Sequence, residues 1–111
     1  MDAPDIGKLF ETFPPAKDEI VTELLRRPGV KIERIVSTGQ VSPPGFWYDQ
    51  PQDEWVLVLR GRAGLLVEGE AERTLEAGGF AFLPARCRHR VTWTARDEPT
   101  VWLAVHMGEG V

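Results

Sequence analysis

The stretch "WYDQPQDEWVLVLRG", residues 47–61, decides how the chain is read. After Trp47 its first part is polar and broken by Pro51, while Trp55 to Leu59 is wholly apolar. A turn opening into a strand has this form. Side chains alternate along extended backbone, so Trp55, Leu57 and Leu59 share one face and Val56 and Val58 the other. A strand that is apolar on both faces is covered on both. Glu54 shares parity with Val56 and Val58 at the strand's entrance, where its carboxylate is partly removed from water. There it needs a partner, because an unpaired buried charge is costly.

The same parity test applied to "RHRVTWT", residues 88–94, gives a strict alternation. His89, Val91 and Trp93 fall on one face; Arg88, Arg90, Thr92 and Thr94 fall on the other. The apolar set should turn inward and carry His89 with it, with Trp93 positioned against any ligand. Cys87 has the same parity and reads as a small core residue. Arg86, Arg88 and Arg90 read as a solvated face. His106 shares parity with Trp102 and Ala104, but both faces of "VWLAV" are apolar, so its direction is open.

Outward from these two segments the chain is punctuated by Gly and Pro. "VKIERIVST" is rich in β-branched residues, and further strands are expected near 54–60, 63–68, 72–75, 79–83, 88–94 and 100–106. Many short strands with turn residues at the corners predict an all-β sandwich or barrel. Before them, "AKDEIVTELLRRPG" places Ile20, Val21, Leu24 and Leu25 on one helical stripe. Asp18 and Glu19 lie early, Arg26 and Arg27 late, and Pro28-Gly29 follows. The pattern predicts a short helix near 16–27, giving an N-terminal arm and helix over 1–30 and a barrel over 31–107.

The bulk numbers bound the function. At 111 residues the chain suits one modest core. Thirteen Lys and Arg against seventeen Asp and Glu leave a formal charge of −4, the wrong sign for a nucleic-acid footprint. With one cysteine, neither an intrachain disulfide nor a Cys-based zinc cage can form. Residues 1–10 include Asp2, Asp5 and Lys8 and have no apolar leader segment, and no run is long and apolar enough for a membrane span. A cytoplasmic protein without nucleic-acid or membrane partners is expected.

Two spaced motifs carry a resemblance. Glu54, six residues and Gly61 match the second half of the first cupin motif, G-x5-H-x-H-x3-4-E-x6-G. Gly78, five residues, Pro84 and then His89 match most of the second, G-x5-P-x-G-x2-H-x3-N. Over about residues 37–106 the chain resembles the cupins, in particular small single-domain bacterial ones. The resemblance implies a jelly-roll β-barrel and a divalent metal (Zn, Mn, Fe or Ni) held by two first-motif histidines, the glutamate and the second-motif histidine. Tyr48 and Gln50 stand at the two histidine positions with the shorter spacer, Trp47 and Asp49 with the longer one. Arg86 replaces the second-motif glycine and Trp93 the asparagine. Glu54 and His89 are thus the surviving ligands, with Gln50 and Asp49 or Tyr48 as replacements.

Two arrangements follow for Glu54 and His89: a metal completed by Gln50, or a charge-assisted hydrogen bond between the pair that raises the histidine pKa. Three functions remain open. The first is a small-molecule pocket lined by Tyr48, Gln50, Glu54, His89 and Trp93. The second, implied by the resemblance, is a metal-dependent oxygenase or isomerase of small acids or sugars. The third is a homodimeric interaction protein, with the arm before Pro14 as the candidate for exchange.

Overall fold

Eight strands follow one another along the chain: β1 (Ile20–Arg27), β2 (Val30–Ser37), β3 (Asp53–Arg60), β4 (Arg62–Val67), β5 (Arg73–Glu76), β6 (Phe80–Leu83), β7 (His89–Thr94) and β8 (Thr100–Met107). The computed structural model describes residues 3–111; Met1 and Asp2, at the start of the expected arm, lie outside the described residues. All pairings between strands are antiparallel. They form a five-stranded sheet of order β1-β2-β8-β3-β6 and a three-stranded sheet of order β5-β4-β7. Val56, Val58, Leu83, Trp102 and Ala104 of the larger sheet meet Ala63 and Leu65 of the smaller in one core. This is the expected all-β jelly roll. No helix of the described residues is long and apolar enough to cross a membrane.

The helix expected near 16–27 is absent; residues 20–27 form β1, the edge strand of the larger sheet. Pro28-Gly29 is the corner of a hairpin rather than a helix stop, because Arg27 pairs with Val30 across it. Gly29 has φ +83°, the conformation required at the second central residue of a Pro-Gly turn. The helix-like spacing has a strand explanation too. The β1–β2 register shifts between Glu23 and Leu25, so Leu24 and Leu25 are both half-buried despite being adjacent. The β-branched run Ile20-Val21-Thr22 favours extended backbone.

A second bulge re-aims β7. Val91 pairs with Leu65 and Trp93 with Gly64, which leaves Thr92 as the extra residue. The inward parity of His89 and Val91 therefore passes to Thr94, buried at 4% exposure. Trp93 lies over Gly64, where a Cβ would collide with its indole. The expectation that Trp93 faces a ligand alongside His89 is thereby corrected.

The outer face of the larger sheet carries an apolar row across all five strands: Phe82, Trp55, Val105, Ile32 and Leu25 are successive cross-strand partners. Phe80 and Phe82 on the edge strand are 63% and 52% exposed. At the other side the arm folds back on its own sheet. Arg34 of β2 donates to the carbonyls of Lys8 and Leu9, pairs with Glu11 at 3.3 Å and lies 5.0 Å from the Phe13 ring centroid.

Candidate functional site

Glu54 and His89 converge. The first is at the start of β3, on the buried face it shares with Val56 and Val58; the second opens β7 in the facing sheet. Both are buried, at 7% and 6% exposure, and His89 Nε2 stands 3.5 Å from Glu54 Oε1. The other ring nitrogen, Nδ1, lies 2.8 Å from the Cys87 carbonyl oxygen. A carbonyl only accepts, so Nδ1 carries the proton and Nε2 faces the carboxylate. Two lone pairs facing each other favour a proton between them. Burial pulls the imidazole down, but the Glu54 hydrogen bond, the Cys87 carbonyl and the Glu54 charge outweigh it, and the His89 pKa is raised.

His106 settles inward. It pairs with Glu54 across β3–β8, and its Nε2 lies 2.9 Å from Glu33 Oε1 and 3.7 Å from Glu54 Oε2. Glu54 is therefore flanked by two imidazoles. Tyr48 bridges to His89 through both backbone groups and stacks on its ring, with centroids 5.3 Å apart. Burial, then the charges of Glu19 and Glu54, push the Tyr48 phenol up. Cys87 packs against the core, and burial, then Glu70, raises its thiol, so it stays protonated.

These groups line a cavity of about 200 Å³ between the two sheets. Tyr48, Gln50, Glu54 and His89 are in its wall; Trp93 is not, and Trp102 supplies the indole instead. Val56, Leu65, Leu83 and Val91 give it an apolar floor. Glu33 and Glu19 also line it, and sequence reasoning missed both. Glu33 was findable, because it shares parity with Ile35 as Glu54 does with Val56; Glu19 was hidden inside the expected helix. A second cavity of about 230 Å³ adjoins the first and shares Glu19, Tyr48 and Val91 with it. Of the clustered arginines, Arg86 pairs with Asp49 and Arg88 with Glu68, and both Arg88 and Arg90 lie over the Trp47 ring.

The residues present do not fit the four-ligand metal shell that the motifs imply. Glu54 and His89 keep ligand-competent faces. The two remaining positions hold a protonated phenol, Tyr48, and an amide, Gln50, which are weak substitutes for imidazole. His106 Nε2 is engaged by Glu33. Among the described residues no three His, Cys, Asp or Glu side chains are grouped as ligands of one ion.

Comparison with known proteins places this architecture. No curated protein matches the chain. Among solved structures, a Ralstonia eutropha JMP134 protein provisionally named a mannose-6-phosphate isomerase is 58% identical, with a TM-score of 0.91 over 94% of this chain and 98% of that one. An RmlC-like cupin from Methanocaldococcus jannaschii, described as a double-stranded β-helix, shares the fold at 17% identity and a TM-score of 0.69, covering 96% and 94% of the two chains. So does a cupin superfamily protein from Desulfitobacterium hafniense DCB-2, at 14% identity and a TM-score of 0.71 over 86% and 83%. Residues 34–106 match the family described as the cupin domain. The chain belongs to the cupin family.

Proposed function

We propose that the barrel interior binds a small organic ligand, with Glu54 and His89 as its polar anchors. One observation carries the reading: two buried titratable side chains, from facing sheets, converge at 3.5 Å on a cavity whose floor is apolar. Small-molecule sites have this makeup of apolar walls and a few convergent polar groups. Tyr48 and Gln50 add a hydroxyl and an amide to the same wall. A titration panel of small acids, sugars and amines, followed by NMR at the Tyr48, His89 and Trp102 side chains, tests it. Binding should shift those three signals, and Glu54→Gln should weaken it by about tenfold or more. Shifts confined to surface residues would defeat the reading.

A second reading, an isomerase of a small sugar, is supported by the 58% identity to the Ralstonia protein. An aldose–ketose interconversion moves one proton between adjacent carbons and one between their oxygens, with no net change in composition. A carboxylate and an imidazole at 3.5 Å are suited to such transfers as base and acid. No step in it passes through a metal. Conversion of mannose 6-phosphate to its ketose isomer, abolished in Glu54→Gln, would support this reading; no turnover with or without added Zn, Mn, Fe or Ni would remove it.

As partner, a second copy of the chain suits the apolar row from Phe82 to Leu25, exposed at Phe82 and half-buried along the rest, since apolar patches at the surface mark interaction faces. A homodimer by solution scattering that becomes monomeric on Phe82→Lys is the expected result, and a wild-type monomer contradicts it.

A further inference from the structure

We infer that the molecule held in this cavity is positively charged, a small ammonium compound. The inference rests on the reading of the cavity as a ligand pocket and adds the charge class of what it takes.

The charged groups of the wall are of one kind. Glu19, Glu33 and Glu54 line the cavity together with the imidazoles of His89 and His106, and no described Lys or Arg lines it. Proteins that hold a phosphate or a carboxylate present guanidinium, ammonium or a helix N-terminus. This wall has none of the three. Lys31 reaches Glu33 from outside the lining, at 3.7 Å. Counting it, with the carboxylates ionised, the site stands at −2 when both imidazoles are neutral and at zero when both are protonated (−3 + 1, then + 2). It is positive in no protonation state of the histidines, so an anion gains nothing from it.

The carboxylates also differ in what they have left to offer. Glu33 is divided between Lys31 and His106, and Glu54 between the two imidazoles. Glu19 accepts from the Ser37 hydroxyl at Oε2, at 3.0 Å, and its Oε1 has no partner among the described side chains. Glu19 belongs to the wall of both cavities, and in the second the other charged lining residue is Asp18, again an acid. An ammonium group brings three N–H donors and no acceptor, the complement of such a wall. Tyr48 and Trp102 bring aromatic rings to the same wall, and Val56, Leu65 and Leu83 accept a carbon skeleton. The phosphate ester named for the Ralstonia protein meets none of these groups favourably.

Three probes of one skeleton test the charge alone: 3-methylbutylammonium, 3-methylbutan-1-ol and 3-methylbutanoate. Each is titrated into the full chain while the side-chain signals of Tyr48, His89 and Trp102 are followed by NMR. The expected order of affinity is ammonium, alcohol, carboxylate, with about tenfold or more between first and last. Glu19→Gln, an exposed substitution that keeps an acceptor for Ser37, should weaken the ammonium about threefold or more and leave the alcohol unchanged. Equal affinities, or the carboxylate tightest, with the cavity signals shifting, would overturn the charge class and leave the ligand pocket standing. No shift at those signals from any probe up to about 10 mM would overturn both.

Discussion

Two glutamate–histidine pairs share one cavity, and they are built differently. Glu33 and His106 lie diagonally on neighbouring strands of one sheet, 2.9 Å apart. The β2–β8 ladder fixes that distance, as it does for cross-strand pairs generally. Glu54 and His89 come from opposite sheets, and their 3.5 Å gap is set by how the two layers pack. The first pair is a feature of a sheet. The second exists only once the barrel has closed, and it is the wider of the two.

The comparison can be broken most directly at Glu54. Glu54→Ala strips both imidazoles of a buried carboxylate and is expected to cost about 3 kcal/mol, read from the urea midpoint at unchanged m-value. Glu33→Ala should cost about 1 kcal/mol, because His106 keeps Glu54 within 3.7 Å. Equal costs would erase the distinction between the pairs. A gentler effect sharpens it through pH. The raised pKa of His89 means that protonation stabilises the folded state. That contribution is complete below the unfolded value of about 6.5 and is lost as pH rises through the higher folded value. Stability should therefore decline from about pH 6.5 upward, and Glu54→Gln should flatten the decline. A slope unchanged in Glu54→Gln would show that the inter-sheet pair is not its source.

The smallest effect lies beside the site. Arg86 occupies the motif's glycine position with φ +64°, a left-handed conformation that costs a side-chain-bearing residue about 1 kcal/mol. Arg86→Gly relieves that cost and loses only an exposed ion pair to Asp49, worth about 0.5 kcal/mol. The glycine's own chain entropy offsets part of the gain. A rise in Tm of about one degree, on the order of 0.2 kcal/mol, is expected, and a fall would show that the pair with Asp49 matters more.

What the sequence revealed follows from where period two holds. His89 opens a strict alternation, while Glu54 opens a strand apolar on both faces and was set opposite it by the motif resemblance, so their meeting could be reasoned from residues thirty-five positions apart. Trp93 lies beyond the Thr92 bulge, and a one-residue slip sends every later side chain to the other face. His106 ends a strand buried on both faces, where parity has nothing to distinguish. Residues 20–27 failed for a different reason. A bulged strand before Pro-Gly and an amphipathic helix before Pro-Gly leave the same mark, and only pairing with β2 separates them. Arg86 was legible as a departure from a motif, though not as a strained backbone.

Tyr48 is a party wall, held in common with Glu19 and Val91. It belongs to the walls of both chambers, of about 200 and 230 Å³, and is braced by its stacking on His89 and an edge contact with Phe46. For the pocket proposed above, Tyr48→Ala would therefore enlarge both chambers at once, the one bounded by Glu54 and the one bounded by Val41 and Pro43.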